Sequence, residues 1–260
     1  MTTHKEVYWQ GFRLALNAIP GTKVREVDSW TVSFDWQGLP MAMTLLGESN
    51  LDDVLELDKA SFQAQDTLSR EDTLKIFQDG IMVALRIGSN TVACTQLILH
   101  NSDLLGFELE SNQVFSAGTF LHPDHRGSGL GQLLVRLQKH ALNPTQFDTV
   151  VVSVRLENHK ALRMRFQENF FVYSVSEQAF SEMGEDSYRL MLFWSKTPFR
   201  RDSSSHNRTT PQWLPVDFSQ NIDLKARAEV ATLLKMGALG IALEDRLIGT
   251  ETRQGIVFVS

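Results

Sequence analysis

The densest chemical signal in the sequence is HPDHRGSGLGQLL, His122 to Leu134, where Gly127, Gly129 and Gly131 alternate behind Arg126. Glycine has no Cβ, so a ligand can approach the backbone closely. The residues that follow, Leu130, Leu133, Leu134, Leu137 and Ala141, fall on one face of a helix. A helix N-terminus carries unpaired N–H groups and about half a positive charge. Glycines at such an end, with a forked guanidinium beside them, make a cradle for an anion, most often a phosphate. Spacing narrows which phosphate. A nucleoside-triphosphate loop needs a lysine and a hydroxyl after its last glycine, and here Gln132 and Leu133 stand there. The dinucleotide fingerprint needs Gly-x-Gly-x-x-Gly, and this loop is one residue short.

The elements that position the loop are legible from periodicity. NQVFSAGTFL reads as the strand that enters it, and Asn143-Pro144 ends the helix that leaves it. Upstream, HKEVYWQGFRLALNAI has helical spacing at Val7, Tyr8, Phe12, Ala15 and Ile19 and stops at Pro20-Gly21. WTVSFDW and MAMTLL read as strands on either side of a turn at Gln37 to Pro40. Asn50 is expected to cap a helix over LDDVLELDKASF with Leu51, Val54, Leu55 and Phe62 on its apolar side. Ser69 to Asp72 resembles a capping box before a helix that ends at Gly80. IMVALRI and TVACTQLIL form a hairpin about Gly88-Ser89-Asn90. Downstream come a valine-rich strand, TVVVSVR, a helix capped by Asn158, and the strands FFVYSV and YRLMLFW. Beyond Trp194 a polar linker precedes a helix over Asp223 to Met236 and two short strands.

A third loop pattern fits: Gln/Arg-x-x-Gly-x-Gly/Ala between a strand and a helix, here Arg126 to Gly131 with Leu121-His122-Pro123 before it. This resembles motif A of the GCN5-related N-acetyltransferases (GNAT). The family's motif B, a strand followed by Asn-x-x-Ala and an aromatic residue after the helix, is matched by Asn158, Ala161 and Phe170. The resemblance covers about residues 41–194. It implies an α/β fold with a mixed sheet; outside it, residues 1–40 read as an N-terminal extension, 195–212 as a linker and 213–260 as a C-terminal helix–strand appendage. It implies acetyl-CoA as acyl donor, with Arg126, Gly127, Ser128, Gly129, Leu130, Gly131 and Asn158 at the cofactor. Backbone groups of Thr119, Phe120 and Leu121 are expected to meet the pantetheine arm. The implied reaction moves an acetyl group to a primary amine, on a small molecule or a peptide.

Catalytic residues are not assigned by the resemblance. Many relatives carry a glutamate four residues before the strand's end, and Ala117 stands there. Ser116 and Thr119 could hold a water instead, while Glu108 and Glu110 lie too far back along the strand. The family's tyrosine position in the motif B helix is Arg165, which stays protonated but could stabilise a departing thiolate. An exposed helix arginine is the plainer reading. Asn169 replaces a glycine before Phe170, and asparagine tolerates the same left-handed backbone. His122, His125 and His159 read as exposed. A protein that kept the cradle and lost catalysis, as an acyl-CoA sensor, is the alternative. A synthase using acyl-carrier protein is a third reading; it needs a basic docking patch near the cradle, and the cluster Phe199-Arg200-Arg201 lies far along the chain from it.

Composition excludes other classes. The net charge of −6 lacks the basic footprint of nucleic-acid binding. The lone cysteine, Cys94, in an apolar run, permits no internal disulfide and reads as an inert buried thiol. No spacing of histidines and carboxylates points to a metal, and no apolar run approaches the ~20 residues of a membrane span. A cytoplasmic protein is expected, with homodimer formation through the appendages left open.

Overall fold

The computed structural model describes residues 4–62, 67–105, 107–176, 188–197, 212–216, 224–236, 238–248 and 251–259. The chain divides into two compact units that meet in sequence at Val150 and Val151.

The first unit is built on six strands: β1 (Thr22–Val27), β2 (Thr31–Trp36), β3 (Leu39–Leu46), β4 (Gly80–Ile87), β5 (Asn90–Ile98) and β6 (Gln113–Leu121). They pair in chain order as an antiparallel meander. Helices α1 (His4–Ala18), α2 (Leu51–Ser61), α3 (Arg70–Asp79) and α4 (Leu130–Ala141) cover them. In α4 all five residues of the predicted apolar face, Leu130, Leu133, Leu134, Leu137 and Ala141, are buried. Helix α1 packs along α4 so closely that a Cβ on Gly11 would sit 2.1 Å from the Ala141 carbonyl oxygen.

Several expectations shift. Strand β1 was not legible because it is an edge strand whose residues stay largely exposed, which leaves no apolar alternation to read. Strand β3 starts at Leu39, so the expected boundary at residue 40 falls inside it. Asn50 precedes α2 without capping it; its Oδ1 accepts from the Gly47 N–H at 3.1 Å. The buried face of α2 is Leu51, Val54, Leu57 and Asp58, rather than a face through Leu55 and Phe62. Helix α3 is capped as expected, with the Asp72 N–H donating to Ser69 Oγ at 3.0 Å.

The second unit has strand order β7-β9-β8-β11-β12-β10. The strands are β7 (Thr149–Val154), β8 (Phe171–Ser176), β9 (Arg189–Ser195), β10 (Gln212–Pro215), β11 (Leu239–Ile248) and β12 (Glu251–Val259). Helices α5 (His159–Gln167) and α6 (Leu224–Lys235) complete it. The C-terminal strands continue this sheet: β11 pairs with β8 at Gly240 and Val172. Helix α6 is tied in by a buried ion pair, Arg227 to Glu157 at 2.8 Å, while the Tyr188 hydroxyl donates to the Arg227 carbonyl at 3.0 Å. Most of the expected linker, with Phe199, Arg200 and Arg201, lies outside the described residues. Among the described residues no helix is long and apolar enough to cross a membrane, and no group of histidine, cysteine and carboxylate side chains could hold a metal.

Candidate functional site

Strand β6 ends at Leu121, a short 3-10 turn spans Pro123–His125, and the glycine loop then opens α4. Gly127 and Gly129 both take left-handed backbone, with φ of +79° and +85°. That conformation strains any residue with a Cβ, which is why glycine stands at both positions. Gly129 is the N-cap of α4, so the helix begins without a side-chain cap. Arg126, Gly127 and Ser128 are exposed, and beside Gly127 a Cβ would meet open space. Arg126 uses one nitrogen, Nη2, on the Ser61 carbonyl at 2.7 Å, which ties the loop to the end of α2. Ser128 Oγ donates to the His125 carbonyl at 2.5 Å.

The loop has a neighbour that sequence reading missed. The buried indole of Trp36 lies against Gly129, its Cζ2 3.7 Å from where a Cβ would be. Its Nε1, one bond removed from the carbon that bears Cζ2, is buried with no hydrogen-bond partner. Buried indole N–H groups almost always have a partner. An orphaned donor beside an uncapped helix N-terminus fits an anion such as the pyrophosphate of coenzyme A. Arg126 and the backbone from Gly127 to Gly131 would hold that group, and the coenzyme would supply the activated thioester.

Strand β6 carries the other expected contacts. Gln96 pairs with Gly118 and Leu97 with Ser116, so Ala117 is the extra residue of a β-bulge. Bulges concentrate beside active sites because they re-aim the strand. Ala117 supplies no ionisable group there. Thr119, Phe120 and Leu121 pair with Thr95, Cys94 and Ala93, which engages the edge of β6 facing β5. Ser116 is buried and accepts from Gln138 Nε2 at 2.8 Å; the same amide also donates to Thr95 Oγ1. Thr95 in turn donates to the Gly118 carbonyl at 3.2 Å. Ser116 therefore belongs to a buried structural network.

His122 and His125 are half-exposed, with ring centroids 6.0 Å apart. Cys94 is fully buried, and burial pushes its thiol up to about 12, so it stays protonated and unreactive.

In the second unit Asn158 caps α5, its Oδ1 accepting from the Ala161 N–H at 3.1 Å. His159 is half-exposed. Asn169 takes the expected left-handed backbone at φ +61°. Arg165 departs from its plainer reading: it is buried at 3% exposure, with its guanidinium 5.0 Å above the Phe170 ring. Burial brings it down to about 9, which still leaves it charged at neutral pH. Thr119 to Gly131 thus share the first unit, while Asn158 and Arg165 lie in the second.

The acetyltransferase (GNAT) family pattern matches residues 51–165. Residues 51–165 are the part of the chain that carries the GNAT family pattern. The loading GNATL domain of CurA from Lyngbya majuscula matches at 10% identity with a TM-score of 0.51, over 60% of this chain and 97% of that one. At that identity the likeness concerns the fold. An IAA acetyltransferase from Bacillus cereus has 13% identity and a TM-score of 0.48 over 60% and 99% of the two chains. yncA from Salmonella typhimurium, with its cofactor acetyl-CoA, has 15% and 0.47 over 63% and 98%. No curated protein matches the sequence.

Proposed function

We propose that this GNAT protein takes an acetyl group from acetyl-CoA and transfers it to a primary amine on a small molecule or peptide. The observation that carries the reading is the entry to α4: a glycine cap, two left-handed glycines, and the orphaned Trp36 N–H beside Gly129. Arg126 and residues Gly127 to Gly131 bind the pyrophosphate, Thr119 to Leu121 guide the pantetheine arm, and Asn158 orders the head of α5. A single buried cysteine and the ordinary acidic charge are compatible with a reducing cytoplasm.

The test is calorimetric titration of acetyl-CoA and of free CoA into the wild-type protein and a Gly129→Trp, Gly131→Trp double variant. Binding on the order of micromolar, abolished in the variant, is the expected outcome. Absence of binding by the wild-type protein defeats the reading. Ala117, where relatives carry glutamate, favours a second reading, an acyl-CoA sensor without turnover. Acetylation of any member of a broad amine panel, once CoA binding is measured, rules the sensor out.

A further inference from the structure

The C-terminal end of α2 is fastened beside the glycine loop at two points. Arg126 bonds the Ser61 carbonyl, and the Phe62 ring meets Phe120 of β6 edge-on at 5.3 Å. Between this helix and strands β5 and β6 lies a set of buried polar atoms with no partner: Asp58 Oδ1, Ser61 Oγ and Gln96 Oε1. Asp58 and Ser61 are three residues apart and share a helix face. Asp58 acts electrostatically on Cys94, and Gln96, two residues along β5, shares the strand face of Cys94. The bare backbone of Gly118 lies under the Gln96 amide, where a Cβ would come within 3.0 Å of Oε1.

Each of these atoms can accept a hydrogen bond, and a carboxylate and an amide oxygen can do nothing else. Asp58 is 1% exposed; its Oδ2 accepts from the Leu68 N–H at 2.8 Å, leaving Oδ1 open. Orphaned acceptors inside a fold carry a real cost, of about 1–3 kcal/mol each. A small cation with several N–H donors is the kind of partner such acceptors lack.

We propose that Asp58 Oδ1, Gln96 Oε1 and Ser61 Oγ form the binding site for the primary ammonium group of the acceptor. The assignment rests on the acetyl-transfer reading above. It gives the amine an anchor on the same unit as the cradle, in a protein whose β6 bulge offers only Ala117. Desolvation raises the Asp58 carboxyl to about 6, so it is charged at neutral pH and ready to pair. Among the described residues the groups that act on it are Lys59 on its own helix, the Leu68 N–H and the protonated Cys94 thiol. The inward faces of α3 and β6 there are Thr73, Ile76 and Phe77, and Gly118 and Phe120.

The test follows the Asp58 carboxyl by NMR in protein labelled with 13C-aspartate, with Asp58→Asn identifying the resonance. Methylammonium chloride serves as probe, with tetramethylammonium chloride at matched ionic strength as the control that cannot donate. The expected result is a fall in the Asp58 titration midpoint of about one pH unit with methylammonium and none with the control. Gln96→Leu should weaken that response several-fold. A midpoint indifferent to methylammonium, in protein that binds acetyl-CoA, overturns the acceptor site and leaves the donor reading standing. Failure of acetyl-CoA to bind in the same samples brings down the donor reading, and the assignment with it.

Discussion

The two faces of β5 treat buried polar groups in opposite ways. On the face toward α4, Gln138 donates to Thr95 and Ser116, and the Thr95 hydroxyl donates to the Gly118 carbonyl. On the face toward α2, Asp58, Ser61 and Gln96 each keep an atom without a partner. A closed network fixes packing and asks for nothing further. An open set of acceptors is a standing cost that a bound cation removes. The contrast separates residues that build the domain from residues that wait for a ligand, within a single strand.

The largest effect is expected where a closed pair is broken outright. Arg227→Leu takes the guanidinium away from the buried Glu157 carboxylate, and should cost about 3–5 kcal/mol in chemical denaturation. A loss under 1 kcal/mol would mean that the pair is worth no more than a surface ion pair. Gln138→Leu opens the closed face of β5 and should cost roughly 2–3 kcal/mol, read as a fall in the denaturant midpoint. Converting Thr95→Val and Ser116→Ala in the same protein should recover much of it, since both hydroxyls that the amide served are then gone. Asp58→Asn tests the open face and should behave differently. The folded carboxyl titrates near 6 and the unfolded one near 3.8, so the fold binds this proton more tightly. Stability from this group is therefore greatest below about pH 4 and declines as the pH rises to about 6, by roughly 2–3 kcal/mol. The asparagine variant should lack that decline and be at least as stable as wild type at pH 7. Parallel stability–pH curves for the two proteins would show that Asp58 has an ordinary carboxyl and erase the contrast.

Much of the frame was legible in the sequence. The leucine spacing of α4, the valines of β7 and the turns at Gly38 and Gly88 each state a local preference that tertiary packing reinforced. The glycine loop was legible too, because a left-handed backbone demands glycine and leaves it in the text. Asp58 was not. LDDVLELDK places four acids within seven residues, and charge alone does not tell which one turns inward. Nor was Arg165, whose burial beside Phe170 follows from packing, or Trp36, which meets Gly129 across more than ninety residues of chain.

What the sequence by itself determined about this protein is most of its elements and the glycine-built entry to α4. Periodicity and backbone sterics act over a few residues, and a few residues suffice to read them. Only the tertiary structure decided which polar atoms are left unsatisfied. Whether Asp58 Oδ1, Gln96 Oε1 or Trp36 Nε1 finds a partner depends on what distant strands and helices bring beside it, and desolvation acts on an atom only once those neighbours have excluded water.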